Sequence, residues 1–291
     1  MSRLRAVILT LRPSHWMKNL FVCAALVFSK RLFELPALAG ALAGFVLFSM
    51  ASGAVYIFND ICDIESDRRN PRTRLRPIAS GTLDLNSAVR LFAALIVVAL
   101  AGSFLIRPAF AFYVLVYIAL NAIYSTALKQ VVVIDAVSVA AGFVIRVVAG
   151  AELISVPPSR WLILCTFLLS LLLALGKRRH ELALPDADPS TRREGAGYSL
   201  RLLDQLMVIV TAATVIAYLL YTTSAETVAF FGTKQLIWTT PFVFLGIFRY
   251  IYLVRRNDRE AGPAELVIGD LPLVVGTLLW VACCVLIIYS V

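Results

Sequence analysis

Apolar runs long enough to cross a bilayer follow one another along nearly the whole chain. They occupy residues 19–33, 38–58, 88–106, 110–128, 131–151, 161–176, 206–223, 236–253 and 271–291. About 20 apolar residues suffice for one helical span. The expected fold is therefore all-α: a polytopic membrane helical bundle of about nine transmembrane helices. The first and sixth runs are the shortest. Of the 291 residues 60% are hydrophobic and 15% charged, and no long polar stretch interrupts the pattern. That balance excludes an ordinary soluble domain and predicts a single integral-membrane domain over 1–291. Only residues 6–11 form an apolar run before Arg12-Pro13, without a small-residue cleavage site, so no signal peptide is expected.

The net charge of +9 is distributed unevenly. One set of connections carries Arg3, Arg5, Arg12 and Lys18, the run Arg68, Arg69, Arg72, Arg74 and Arg76, then Lys129, then Lys177, Arg178, Arg179, Arg192, Arg193 and Arg201, and lastly Arg255, Arg256 and Arg259. The opposite connections carry only Lys30, Arg31, Arg107, Arg160 and Lys234. Basic connections stay in the cytoplasm. The N-terminus is expected there, together with the two long charged loops 59–87 and 177–204. The charge is read first as topology and second as a sign of an anionic ligand; no nucleic-acid partner is expected. The cysteines Cys23, Cys62, Cys165, Cys283 and Cys284 have no metal spacing and read as packing residues.

The first loop opens on Asn59-Asp60-Ile61-Cys62-Asp63-Ile64-Glu65-Ser66-Asp67, directly after an apolar run. On a helix Asp60, Asp63 and Asp67 share an arc of roughly 60°. Like charges so close repel, so a cation is expected to bind them. Carboxylates on one face suit a hard divalent cation, and Asn59 can add an amide oxygen. With the neighbouring arginines, which grip phosphate bidentately, the pattern suggests Mg2+ holding a polyphosphate. The plainer reading is a charged loop whose arginines set topology.

The second loop opens on Gly176-Lys177-Arg178-Arg179-His180-Glu181-Leu182, again directly after an apolar run. This cluster suits an anion and not a metal; positive-inside anchoring is the alternative. Arg146 lies inside a span, where a charge needs a partner or a water-filled cavity, with Asp135 and Glu152 as candidate partners. In Arg12-Pro13-Ser14-His15-Trp16-Met17-Lys18-Asn19, Trp16 reads as an interface anchor, while Lys18 and Asn19 are candidate phosphate contacts. Neither His15 nor His180 has a second partner suited to a catalytic base. Nucleotide-binding glycine loops, zinc motifs and serine-nucleophile elbows do not occur.

The motif Asn59-Asp60-x-x-Asp63-x-x-x-Asp67, after a hydrophobic helix in such a chain, resembles the UbiA-type membrane prenyltransferase superfamily. Typical members use two aspartate-rich motifs and Mg2+ to hold a prenyl diphosphate, which they join to an aromatic or other acceptor. Here the place of the second motif is taken by the basic cluster 177–179. Asp186 and Asp188 follow between Pro185 and Pro189, a spacing that argues against a helical metal face. The runs Arg12-Pro13-x-x-Trp16-x-Lys18-Asn19, Arg74-x-Arg76-Pro77-Ile78-Ala79-Ser80-Gly81, Gly176-Lys177-Arg178-x-x-Glu181-Leu182, Ile145-Arg146 with Gly150, and Arg249-Tyr250 are similar to the decaprenyl-phosphate phosphoribosyltransferase branch. That branch moves phosphoribose from phosphoribosyl pyrophosphate (PRPP) to a polyprenyl phosphate for cell-wall arabinan precursors.

The resemblance implies Mg2+ as cofactor, with Asn59, Asp60, Asp63 and Asp67 as its ligands. It implies Asp60, Asp63, Lys129 and Arg146 as catalytic residues. Lys18, Asn19, Arg74, Arg76, Lys129, Arg146, Lys177, Arg178, Glu181 and Tyr198 become substrate contacts. The implied partners are PRPP, a polyprenyl phosphate and membrane lipids; a homo-oligomer is left open. The competing readings are an aromatic prenyltransferase fed by a prenyl diphosphate, and a non-enzymatic lipid carrier.

Overall fold

The computed structural model describes residues 3–71, 73–183, 197–256 and 269–290. Arg72 and the parts of the two later basic loops that hold Asp186, Asp188, Arg192, Arg193 and Arg259 lie outside them. Among the described residues every regular element is helical. This is the state a bilayer demands, because lipid offers no partner to an unpaired backbone group.

Two compact units make up the chain, Met1–Pro158 and Ser159–Val291. The first contains α1 (Arg3–Leu11), a 3-10 segment (Pro13–Cys23), α2 (Ala24–Phe28), α3 (Leu35–Cys62), α4 (Ile64–Arg69), α5 (Leu85–Ile106), α6 (Pro108–Thr126), a 3-10 turn (Leu128–Gln130) and α7 (Ile134–Leu153). The second contains α8 (Arg160–Ala183), α9 (Leu200–Thr223), α10 (Ala225–Phe231), a 3-10 turn (Gln235–Thr239), α11 (Thr240–Arg255) and α12 (Leu271–Tyr289). Among the described residues eight stretches are long and apolar enough to span a membrane, and they match the second to ninth expected runs in order.

Local sequence sets their ends. Asp84, Ser199, Ser224 and Asp270 cap α5, α9, α10 and α12 by accepting a hydrogen bond from the backbone N–H three residues on. Proline stands in the first turn of α3, α6, α11 and α12, where no intrahelical donor is lost.

In the first unit α3 packs against α5, α6, α7 and the 3-10 segment. More than half of the spanning windows of α3 and α7 is buried, but little of that of α5, so α3 and α7 are central and α5 presents its side chains outward. The core between them holds Val22, Phe48, Ala51, Phe110, Val114, Tyr117 and Ala149. In the second unit α8 packs on α9 and α11, and α11 on α12. There a Cβ on Gly176 would come within 2.3 Å of the Tyr250 hydroxyl, which donates to the Leu173 carbonyl at 3.0 Å.

The expected first span, 19–33, is not one continuous α-helix. Arg12 adopts a left-handed conformation (φ 49°) and ends α1, and Pro13 opens a 3-10 segment that gives way to α2 only at Ala24. Two contacts account for the irregular backbone. Asn19 is buried, and its amide is held by Ser49, Ser52 and Arg146. Val22 lies so close to α7 that a Cβ on Gly150 would stand 1.8 Å from its carbonyl oxygen. Small residues let membrane helices approach to backbone contact, and here only glycine fits.

Gly150→Ala is therefore expected to destabilise the protein by about 1–3 kcal/mol or more, as overpacking against backbone does. Gly40→Ala, with no atom within 4 Å of the added Cβ, is expected to be neutral or slightly stabilising. Thermal unfolding of both variants in one detergent checks this, and equal midpoints would refute the close approach.

Candidate functional site

The acidic motif sits where α3 passes into α4. The helix breaks for one residue at Asp63 (φ −98°, ψ 8°). The hydrogen-bond ladder nevertheless continues, from the Asp63 N–H to the Asn59 carbonyl at 2.9 Å and from the Asp67 N–H to the Asp63 carbonyl at 2.8 Å. Helical spacing thus survives the break.

Each carboxylate meets a cation from another part of the chain. Asp60 is 3% exposed, and its Oδ1 accepts from Arg12 Nη2 at 2.5 Å and from Arg76 Nη1 at 3.4 Å. The same Arg76 Nη1 reaches both oxygens of buried Asp67, at 3.0 and 2.8 Å. Lys129, on the 3-10 turn after α6, donates to Asp63 at 2.8 Å. Asp63 is the accessible member, a third exposed. The Asn59 amide oxygen is held by the Ser125 hydroxyl. The guanidinium of Arg12 lies 5.1 Å from the centre of the Tyr56 ring. Arg74 is exposed, and its side chain makes no ion pair among the described residues. Arg68 pairs with Glu65 and donates to the Ala79 carbonyl.

The repulsion foreseen among the three aspartates is thus relieved from inside the chain. Arg76 and Lys129 belong to the expected set. Arg12 and Ser125 do not: Arg12 reads as a topology residue, and a serine 66 residues away carries no local signal.

A second polar centre lies deeper in the same unit. Arg146 is 5% exposed. Its Nε donates to Asn19 Oδ1 at 2.9 Å, Nη1 to the Gly142 carbonyl at 2.8 Å and Nη2 to the Tyr117 hydroxyl at 2.9 Å. The rings of Tyr117, Phe143 and Phe48 lie around it, at 4.4, 5.3 and 5.9 Å from ring centre to guanidinium carbon. Ser52 bridges Asn19 and Tyr117. The expected partners of Arg146, Asp135 and Glu152, are replaced by this neutral set. Glu152 is six residues along α7, turned to another face, and pairs with Arg107 at 3.0 Å. Asp135 is eleven residues back, about 16 Å along the axis. Neutral acceptors and aromatic faces stabilise the charge in place of an anion. Asn19 and Arg146 are therefore committed to each other, while Lys18 beside them is only half-buried.

In the second unit the basic cluster divides. Lys177 and Arg178 share one carboxylate, Glu181, at 3.5 and 3.1 Å. Arg178 is buried and Lys177 mostly exposed. Arg179 turns away: it pairs with Asp204 at 2.8 Å and donates to the Val254 carbonyl, tying α8 to α9 and α11. Tyr198 is buried just before α9.

Comparison with known proteins agrees with this architecture. The UbiA prenyltransferase family model matches residues 19–269. Decaprenyl-phosphate phosphoribosyltransferase of Mycobacterium tuberculosis is 31% identical over 282 residues, covering 95% of this chain and 92% of that protein. The protein of the same name from Corynebacterium glutamicum is 33% identical, over 97% of this chain and 86% of its own. Among solved structures, a UbiA homolog from Archaeoglobus fulgidus bound to GPP and Mg2+ superposes with a TM-score of 0.74 at 16% identity, covering 98% of this chain and all of that one. A digeranylgeranylglyceryl phosphate synthase superposes with a TM-score of 0.68, also at 16% identity, over all of both chains. A family model that takes in most of the length, and relatives above 30% identity across nearly all of it, make this chain an integral membrane enzyme of the UbiA prenyltransferase family.

Proposed function

We propose that this enzyme transfers the 5-phosphoribosyl group of PRPP to a polyprenyl phosphate and releases pyrophosphate. The observation that carries the reading is the cationic C-terminal end of α8. Where a prenyl-diphosphate enzyme of the family needs a second acidic motif, the last two turns of α8 carry Lys177 and Arg178 around the single carboxylate Glu181. One acidic site then serves the diphosphate of a soluble donor, and cations are left for further phosphates. The names of the relatives at 31–33% identity support the same choice.

In this account Asp60 and Asp63, with the Asn59 amide, hold Mg2+. Mg2+ takes one or two protein carboxylates and completes its shell with phosphate and water. The partly exposed Asp63 beside Asn59 fits that demand. A cage of three or more His, Cys, Asp or Glu side chains is not gathered among the described residues, and Asp67 has both oxygens engaged by Arg76. Asp67 is thus better suited to positioning Arg76 than to ligation. When bound, the ion would supply neutralising charge to the diphosphate.

The chain's own residues do the rest. Arg74, Arg76 and Lys129 stabilise negative charge growing on the departing pyrophosphate. Lys177 and Arg178 hold a second phosphate, with Glu181 setting their geometry, and Tyr198 is a further substrate contact. A phosphate oxygen of the lipid bonds to C1 of the ribose as the bond from C1 to the diphosphate breaks. A phosphate monoester is anionic at neutral pH, so no general base is required, in keeping with the absence of a suitable histidine from the motif. Catalysis is then mostly positioning and electrostatics. The lipid tail lies among the apolar spans, and the acidic loop faces the cytoplasm of a bacterial inner membrane. The product would serve cell-wall arabinan synthesis.

The solved relative bound to GPP and Mg2+ supports the one alternative worth testing, an aromatic prenyltransferase. Purified protein supplied with ribose-labelled PRPP, decaprenyl phosphate and Mg2+ is expected to yield label extractable into organic solvent. Asp63→Asn is expected to lower kcat by about 100-fold or more, the scale of losing an electrostatic contact at the reacting centre. No labelled lipid, together with prenylation of an aromatic acid by a prenyl diphosphate, would overturn the proposal.

A further inference from the structure

We infer that Arg12 is a positioning residue of the acidic site, held over Asp60 by an N-terminal strap, and that its charge sets the balance there between metal ion and diphosphate. The inference rests on reading the acidic end of α3 as the diphosphate site.

Four observations converge. The first is the backbone. Arg12 is a non-glycine residue in the left-handed region, with φ 49° and ψ 63°, a conformation that costs free energy and persists only where the surroundings enforce it. The second is what enforces it. Downstream, Trp16 Nε1 donates to the Leu11 carbonyl at 3.1 Å, Asn19 sits in the Ser49, Ser52 and Arg146 network, and Val22 abuts Gly150. Upstream, Ala6 is fully buried against Ile57, Ile78, Leu83 and Ala88. Arg12 is the link between two anchored segments.

The third observation is where the side chain goes. Its guanidinium lies 5.1 Å from the centre of the Tyr56 ring and 2.5 Å from Asp60 Oδ1, one turn further along α3. The fourth is stoichiometry. Arg76 approaches the same oxygen at 3.4 Å, so two cations converge on one oxygen of a carboxylate that is almost fully buried. A clip that merely fastened the strap would need one.

The electrostatic consequence has a sign. A guanidinium next to Asp60 opposes an incoming divalent cation and favours an incoming polyanion. Removing it should therefore move the two affinities in opposite directions. A structural clip would, on removal, weaken both ligands together through loss of the folded site, or neither. At an effective dielectric of about 20, one unit charge roughly 10 Å from a ligand changes affinity by about tenfold per ligand charge, which screening over about one Debye length cuts to about threefold per charge, hence several-fold to about tenfold for a divalent ligand.

The test is equilibrium binding to the full-length protein in detergent, without turnover. Mn2+ alone is titrated by paramagnetic resonance, and inorganic pyrophosphate is titrated by calorimetry at saturating Mg2+. For Arg12→Gln, Mn2+ is expected to bind several-fold tighter and pyrophosphate about tenfold weaker. Arg12→Lys keeps the charge and should restore both towards wild type. Arg12→Met, whose apolar stem can still cover Tyr56, is measured in parallel in case the glutamine variant fails to fold. If neither uncharged variant folds, or both affinities fall together, or neither moves, Arg12 is a structural clip and the inference is overturned. A wild-type protein that binds no pyrophosphate would instead overturn the reading of the site itself.

Discussion

A buried aspartate shared by two arginines from distant parts of the chain organises the first unit. Asp60 lies in the last turn of α3, and its Oδ1 accepts from Arg12, 48 residues upstream, and from Arg76, 16 residues downstream. A charge removed from water must be paired and hydrogen-bonded or the folded state suffers by several kcal/mol. The N-terminal segment and the loop after α4 are therefore both drawn to the end of α3. Lys129 brings the turn after α6 to Asp63 in the same way. Hydrophobic patterning places the helices, but it cannot bring three connections to one point at the end of α3. The paired charges do that, and they gather Arg12, Arg76 and Lys129 around the acidic motif.

The Arg146 centre bears on this arrangement from within the bundle. Ser52 and Asp60 are eight residues apart on α3, about 12 Å along its axis. At the inner level Asn19 locks the 3-10 segment to α3 and α7; at the outer level Arg12 locks the same segment to the acidic motif. A guanidinium this deep without a carboxylate is unusual in a membrane span, where charges mark function or pair with one another. Its neutral partners and aromatic surroundings explain how it is tolerated. One helical turn further along α7, Gly150 leaves room for the backbone at Val22.

Much of this was legible in the residues alone. Apolar run length is a direct consequence of bilayer thickness, so eight of the expected spans correspond to long helices. Helical spacing brings Asp60, Asp63 and Asp67 to one side, and their mutual repulsion announces the need for cations. What was hidden depends on tertiary contact. Periodicity over 19–33 resembles any other span, and only the burial of Asn19 and the approach to Gly150 show why its backbone is 3-10 near the start. Arg12 looks like a topology residue until its left-handed backbone aims it at Asp60. The partner of Arg146 could be sought only among carboxylates, since an asparagine, a tyrosine and a carbonyl carry no charge signal. Arg179 is indistinguishable from Lys177 and Arg178 until Asp204 claims it.

The central claim is that the acidic end of α3 is where the diphosphate of the donor binds. The chain carries its own reporter there. Cys62 stands between Asp60 and Asp63 and is the one exposed cysteine of the five. The rate at which a membrane-impermeant maleimide labels Cys62 should fall several-fold in the presence of Mg2+ and PRPP together, and much less with either alone. An unchanged labelling rate at saturating Mg2+ and PRPP, in protein that turns over, would contradict the claim.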